Sequence, residues 1–135
     1  MTSQQRVMVT AGAAGIGRAI ADRFADDGAL VSVLDLDAVA VAALREQRPD
    51  IDARVGDVSD EATLDAWFDD VLGSWDGLDV LVNNAGAAGP TAYVEDVDLD
   101  AWRRCLAVGL DSHFLAGRRA ARTMKGRVCA RVRSR

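Results

Sequence analysis

Apolar and polar residues alternate along this chain in blocks, and the period of the pattern switches repeatedly between strand-like and helical. Short apolar runs predict four strands, at residues 6–11, 29–35, 51–57 and 78–84. Apolar residues at helical spacing follow each run, and Gly28 and Pro49 mark where the first two helices end. This regular alternation predicts right-handed βαβ units around a parallel sheet.

The third helix has the clearest amphipathic pattern. Ser59 is placed to cap it, and its first turn carries Asp60 and Glu61, where the helix dipole favours acids. A last long helix begins near Leu99. The fourth strand is apolar at its centre, as expected of a strand covered on both faces. We therefore predict an α/β fold with a Rossmann-type doubly wound parallel sheet and helices on both faces, incomplete at about four strands plus an irregular tail.

Composition narrows the class of protein. With 135 residues, half of them hydrophobic, the chain has room for one core. Cys105 and Cys129 cannot form a disulfide framework, and no Cys/His cluster has metal-ligand spacing, so we expect no metal site and a reducing, cytoplasmic location. Neither a leader nor an apolar run of membrane-spanning length is present, and we expect no membrane partner.

Charge is distributed unevenly. The net charge is −5, yet all 21 acidic residues precede residue 118, whereas half of the 16 basic residues follow residue 117. A basic segment of this kind, at residues 118–135, is typical of a tail that binds an anionic partner, such as nucleic acid or an acidic membrane. No aromatic residue follows Phe114, and the body of the chain is acidic, so we expect no nucleic-acid partner.

A glycine-rich turn, "TAGAAGIG", joins the first strand to the first helix. Gly12, Gly15 and Gly17 allow the backbone to approach a pyrophosphate, and the following helix directs free N–H groups towards it. Glycines also serve tight strand–helix packing, so the turn alone is weak evidence. Asp35 ends the second strand at the spacing of an acid that binds a ribose, which favours NAD over NADP, whereas Asp37 is suited to capping the next helix.

The turn "TAGAAGIG" and the segment "NNAG" at 83–86 resemble two motifs of the short-chain dehydrogenases/reductases, and the resemblance extends over residues 6–124. It implies that Asp57 contacts the adenine amino group, that Val58 lines the same pocket, and that the helix at 99–123 pairs two subunits. The predicted cofactor-binding residues are Thr10, Gly12, Ala14, Gly15, Ile16, Gly17, Asp35, Asp57, Val58, Asn84, Ala85 and Gly86.

The sequence departs from the family pattern at two positions of this region. The first glycine of the family turn falls at Ala11, a variant we expect to be tolerated. Gly109 stands where the family has a helix asparagine that helps to hold a water in the proton relay and that supports a kink in the helix. Asn83 is no substitute, because the resemblance implies that this residue ties neighbouring strands together.

The catalytic residues of the family are not found in these 135 residues. The family continues with a fifth strand ending in Ser and then a Tyr-x-x-x-Lys motif, whereas Tyr93 and Lys125 are the only tyrosine and lysine here. A phenol and an ammonium so far apart in sequence cannot form that motif, and we assign no catalytic residue. We expect a truncated chain with a partial NAD-binding domain at 1–124 and a basic, non-native tail at 125–135, of out-of-frame or similar origin.

Three functions follow from these residues. The first is an NAD(P)-dependent oxidoreductase that transfers hydride between nicotinamide and an unidentified alcohol or ketone, of which this chain keeps the cofactor-binding half and is inactive alone. The second is a non-catalytic NAD-binding module or dimer partner. The third is an anion-binding protein acting through its tail. We expect His113 to be a partly buried or interface residue, Cys105 to pack within a helix, and Tyr93 to lie in a loop.

Overall fold

The computed structural model describes the backbone of residues 3–133 and the side chains of residues 3–125. The elements are, in chain order, β1 (Arg6–Thr10), α1 (Gly15–Asp26), β2 (Leu30–Asp35), α2 (Ala38–Gln47), β3 (Asp52–Val55), α3 (Glu61–Ser74), β4 (Val80–Val82), a 3₁₀ turn (Val94–Asp96), α4 (Leu99–Leu106), a π-helical segment (Ala107–Asp111) and α5 (Ser112–Arg133). Each predicted strand contains an observed one and extends slightly beyond it. The predicted alternation of strand and helix is confirmed.

The four strands form one parallel sheet in the order β3-β2-β1-β4. The chain moves outward from β1 through β2 to β3, and then crosses back so that β4 pairs with the other side of β1. Strand order therefore reverses between β1 and β4. In open parallel sheets such a switch point opens a crevice at the carboxyl ends of the strands, where ligands bind. The loops that follow β1 and β4 meet at this crevice.

Two apolar cores lie on opposite faces of the sheet. On β1, Val7 and Val9 pack with residues of α1 and α2, such as Ala21 and Val41. Met8, which points the opposite way, packs in a second cluster with residues of α3 that include Phe68. Because side chains alternate along a strand and both faces of β1 are covered, the strand is apolar at successive positions. Helices on both faces confirm the doubly wound arrangement.

Aspartates cap three of the helices. Asp37, Asp60 and Asp98 precede α2, α3 and α4, and each side chain accepts at least one backbone N–H of the first turn. Capping by Asp37 is confirmed. The prediction that Ser59 caps α3 is wrong, because its hydroxyl instead donates to Asp57 at 2.7 Å while Asp60 accepts from the Thr63 amide.

Part of the charge asymmetry is neutralised within the fold. Arg118 and Arg119 of α5 form ion pairs with acids of α3, Arg118 with Glu61 and Arg119 with Asp65 and Asp69. The backbone of the basic segment 125–133, predicted to be irregular, continues α5 as a helix, while its side chains from residue 126 onward lie outside the described residues. No helix in the described part of the chain is both long and apolar enough to cross a membrane.

Candidate functional site

The turn after β1 has an unusual backbone conformation at its first residue. Ala11 has φ of 51°, a left-handed conformation that L-residues adopt at a cost, and its amide donates to the Leu34 carbonyl at 2.8 Å. Gly12 follows, and a methyl group on it would lie 2.9 Å from Val33 and 3.1 Å from Val9. The family glycine position is thus occupied by an alanine held in the conformation that glycine adopts freely. Gly12 itself is required for packing against the sheet.

The other two glycines of the turn have different physical reasons. Gly15 has φ of 57° and faces open space, so it serves the left-handed conformation at the start of α1. Gly17 has ordinary backbone angles, but a methyl group there would collide with the Ala11 carbonyl oxygen and the Asn84 side-chain amide. The helix can therefore approach the loops only because residue 17 lacks a side chain. This close approach places the first turn of α1 at the crevice.

The N-terminus of α1 differs from those of the three aspartate-capped helices. Its cap residue is Ala14, which makes no side-chain cap hydrogen bond, and its first turn contains no acid. Ile16 in that turn is exposed. The first N–H groups of a helix have no partner within the helix. In α1 no side chain takes them, so they are available to an anion.

Asp35 lies at the end of β2, beside the glycine turn. Its Oδ2 accepts from the Ala13 amide and its Oδ1 accepts from the Asp37 amide, both at 3.0 Å. An ionised carboxylate offers about four acceptor positions, two on each oxygen. Each oxygen of Asp35 therefore keeps one acceptor position after its backbone hydrogen bond. The two backbone bonds also fix the orientation of the carboxylate.

The loop after β4 is joined to the glycine turn by Thr10 and Asn84. The Asn84 side-chain amide donates to the carbonyl oxygens of Thr10 at 3.2 Å and Ala11 at 3.0 Å, while the Thr10 hydroxyl accepts from the amides of Asn84 and Ala85 at 3.0 Å each. The expectation from the resemblance that Asn83 ties neighbouring strands together is wrong. Its side-chain amide instead donates to the His113 carbonyl of α5 at 3.3 Å, and so joins the end of β4 to that helix.

His113 secures the same loop from the last helix. Its Nε2 lies 2.8 Å from the Ala85 carbonyl oxygen, so Nε2 carries the proton and donates. Together with the bond from Asn83, this contact fastens the loop after β4 to α5. His113 is partly buried, as predicted, and its role here is to hold backbone that borders the crevice.

A pocket of about 210 Å³ opens between these loops. Its lining residues are Ala11, Leu34, Asp35, Leu36, Gly56, Asp57, Val58, Ala85, Gly86, Ala87, Arg104 and Val108. The walls are mainly apolar, with two carboxylates and one guanidinium. Of the predicted cofactor-binding residues, Asp35, Asp57, Val58, Ala85 and Gly86 line this pocket directly. Thr10, Gly12, Gly17 and Asn84 support the loops around it.

The resemblance implies a contact of Asp57 with adenine, but it does not include the two residues that hold the Asp57 carboxylate in the structure. Its Oδ1 accepts from the Ser59 amide at 2.9 Å and the Ser59 hydroxyl at 2.7 Å, and its Oδ2 accepts from Arg104 Nη1 at 2.9 Å. Partial burial favours the neutral carboxyl, but the hydrogen bonds from Ser59 and Arg104 outweigh it, so the pKa of Asp57 lies below its ordinary value. Sequence reasoning missed Arg104, because one arginine on an exposed helix face carries no signal of its partner.

Tyr93, Cys105 and Gly109 form no reactive group. Tyr93 is exposed in the loop before α4, and the Cys105 thiol donates to the Ala87 carbonyl at 3.3 Å. Gly109 lies in the π-helical segment, where the Ser112 hydroxyl donates to the Val108 carbonyl at 2.6 Å. The helix thus departs from α geometry without an asparagine side chain. Among the described residues no group of three or more His, Cys, Asp or Glu could hold a metal ion.

The left-handed conformation of Ala11 makes the variant Ala11→Gly informative. Relief of roughly 1–2 kcal/mol of backbone strain is set against an entropic cost of about 0.5–1 kcal/mol for glycine. We expect the free energy of unfolding in urea to stay level or rise by up to about 1.5 kcal/mol. The control Ala13→Gly, buried in the same turn without positive φ, should lose about 1 kcal/mol. Equal losses in the two variants would contradict the prediction.

Comparison with known proteins matches residues 5–132 to the short chain dehydrogenase family model. A short chain dehydrogenase/reductase from Colletotrichum higginsianum is 36% identical over 121 residues, covering 87% of this chain and 45% of that protein. Cis-4-hydroxycyclohexanecarboxylate dehydrogenase from Sinomonas cyclohexanicum is 39% identical over 125 residues, covering 89% and 50%.

A solved structure of 3-ketoacyl-(acyl-carrier-protein) reductase from Brucella melitensis complexed with NADH superposes with a TM-score of 0.84 at 28% identity, covering 90% of this chain and 50% of that one. The chain spans about half the length of the curated relatives that it matches. The glycine turn, the parallel sheet and these matches agree, and the chain belongs to the short-chain dehydrogenase family.

Proposed function

We propose that this chain forms the NAD-binding half, at residues 1–124, of a cytoplasmic oxidoreductase that transfers hydride between nicotinamide and an alcohol or ketone. The observation that carries the proposal is Asp35. Its carboxylate stands at the edge of the pocket with one acceptor position left on each oxygen, which fits the two neighbouring hydroxyls of a ribose. The bound nicotinamide supplies or takes up the hydride; the residues of this chain bind and orient the cofactor.

The pyrophosphate of the dinucleotide fits the first turn of α1. N–H groups of Gly15, Ile16 and Gly17 are not taken by a capping side chain, and a helix N-terminus favours negative charge. Ala14 and Gly15 expose the backbone on this side. An acidic protein can thus bind an anionic cofactor, because the phosphates meet backbone dipoles rather than side chains of the same sign.

The adenine fits the pocket between β2 and β3. Leu36 and Val58 supply apolar contact for the base, and Asp57 supplies a carboxylate for its amino group. The loop of Asn84, Ala85 and Gly86 borders the crevice on the side of β4, where the rest of the dinucleotide would pass. Backbone rigidity there comes from the hydrogen bonds to Thr10 and His113.

The charges around Asp35 favour NAD over NADP. A 2′-phosphate would meet the carboxylate of Asp35 and would need a cation to offset it. Two candidate cations have other partners: Arg18, in the first turn of α1, pairs with Asp22 at 2.8 Å, and Arg104, which lines the pocket, pairs with Asp57. The preference therefore rests on one carboxylate and on arginines that are already paired.

Thermal unfolding with each cofactor tests this proposal. NAD at about a hundred times its Kd should add about 2.7 kcal/mol of stability and raise the Tm by several degrees, while NADP should raise it less. Asp35→Asn, which removes the charge, should reduce the NAD shift and narrow the gap to NADP. Asp37→Asn, which keeps a good helix cap, is the matched control and should respond like the unaltered chain. An unaltered chain that responds to neither cofactor would refute the NAD-binding function.

Catalysis by these 135 residues alone is a separate matter. They contain no Tyr-x-x-x-Lys pair, and the chemistry of the family needs a phenol next to an ammonium for proton transfer. We expect the purified chain to bind NADH and yet to oxidise none of it when a panel of ketones is added. Absorbance at the nicotinamide band of NADH measures this oxidation. A full-length relative serves as the positive control. Ketone-dependent turnover that persists on repurification would contradict this expectation.

A second candidate function, an NAD-binding module that pairs with another subunit, is favoured by the surface of α4 and α5. Large apolar side chains are exposed in a row that runs from α4 through the π-helical segment into α5, at Leu99, Trp102, Leu106, Leu110 and Phe114. Beside them an apolar groove of about 330 Å³ lies between the 3₁₀ turn and α4. Contiguous exposed apolar surface of this kind marks protein interaction sites. The same face would also form a homo-oligomer.

Self-association can be tested by charging this face. Leu110→Asp places a carboxylate in the middle of the apolar row and should convert an associated chain to a monomer in sedimentation velocity. Val39→Asp on α2 is the matched control, because it charges an apolar position that is also exposed but lies away from the row, and it should leave the sedimentation unchanged. If the unaltered chain is already monomeric at micromolar concentration, the pairing role of the helix is wrong.

A further inference from the structure

Arg104 connects two elements that are far apart in sequence. It lies on α4, and its Nη1 donates to Asp57 Oδ2 and to Ser59 Oγ, at 2.9 Å each, in the segment between β3 and α3. Arg104 and Asp57 both line the pocket. One guanidinium nitrogen therefore fixes the side chains of both residues after β3.

The acceptor positions of Asp57 are nearly filled. Oδ1 accepts two hydrogen bonds, both from Ser59, and Oδ2 accepts one, from Arg104. Because an ionised carboxylate has about four acceptor positions, among the described residues one is left, and it lies on Oδ2. The oxygen that Arg104 holds is thus the oxygen that can accept from a ligand in the pocket.

The ion pair contributes little to folding. The side chains of Arg104 and Asp57 are 48% and 30% exposed, and pairs at such sites contribute little to stability because solvent screens them. Their main consequence is orientation, since Ser59 and Arg104 leave the carboxylate one arrangement. The neighbouring Arg103 has no such role, because it is 68% exposed and only approaches Asp100, at 3.8 Å.

We propose that Arg104 is a positioning residue for the base of the cofactor: it holds Asp57 so that the last acceptor position of Oδ2 takes the amino group of adenine. A base with an oxygen in place of that amino group would face the carboxylate with two acceptors opposed. Arg104 thereby sets the preference for adenine over 6-oxopurines. The proposal rests on the NAD-binding function proposed above.

The test compares NAD with nicotinamide hypoxanthine dinucleotide, which differs at this group of the base, by titration calorimetry of the 135-residue chain. The unaltered chain should bind NAD roughly tenfold tighter or more, as expected for a hydrogen bond to a charged acceptor. In Arg104→Gln the ratio of the two affinities should fall towards one. Arg104→Lys, which keeps the charge, should restore part of the ratio, and Arg103→Gln on the same helix should leave it unchanged.

A purely structural role for Arg104 would give a different result. Arg104→Gln would then lower the Tm or weaken both dinucleotides alike, with the ratio of their affinities unchanged, and that result would overturn the proposal. Arg104→Met, similar in length and uncharged, gives the same test if the glutamine variant does not fold. If the unaltered chain binds neither dinucleotide, the NAD-binding function itself is wrong. If it binds NAD but the Arg104 variants keep the same ratio of affinities for the two dinucleotides, only the role of Arg104 is wrong.

Discussion

The side-chain amide of Asn84 holds together the two loops on which the candidate site depends. It donates to the carbonyl oxygens of Thr10 and Ala11 and so joins the end of β4 to the turn after β1. The space for this contact exists only because Gly17 has no side chain. Helix α1 can then start directly above the switch point of the sheet, and its free N–H groups face the crevice. One short approach between backbone segments therefore determines where an anion can bind.

Acidic side chains have distinct tasks in this fold, which explains how a chain of net charge −5 can have a site for an anionic cofactor. Three aspartates cap helices, at Asp37, Asp60 and Asp98, and acids of α3 pair with arginines of α5. Asp35 and Asp57 are oriented by hydrogen bonds that leave part of their acceptor capacity open. In the proposed function these two carboxylates accept from hydroxyl and amino donors, while the uncapped N-terminus of α1 takes the phosphates.

Helix α4 presents different chemistry on its two sides. Arg104 reaches inward to the pocket, whereas Trp102 and Leu106 are exposed on the opposite side of this helix, which belongs to the segment that the family resemblance assigns to subunit pairing. The two proposed roles of this helix, positioning the base and contacting a partner, thus share one rigid element. A displacement of α4 at a subunit interface would move the guanidinium that orients Asp57. Under the two proposals, cofactor recognition and association would therefore be mechanically linked through α4.

The sequence by itself determined the strand and helix order, the glycine turn and the acid at Asp35, because each depends on local periodicity or on the backbone freedom of glycine. It also placed Asp57 and Val58 at the pocket through a family resemblance. Only the tertiary structure decided that Asn84, and not Asn83, ties the two loops. Successive side chains at the end of a strand point to opposite faces of the sheet, and the order of the strands decides on which face the glycine turn lies. The contacts of Arg104 with Asp57 and of His113 with Ala85 could not be predicted from the sequence either. They join residues that are distant in sequence, and whether these residues touch depends on how the helices pack on the sheet.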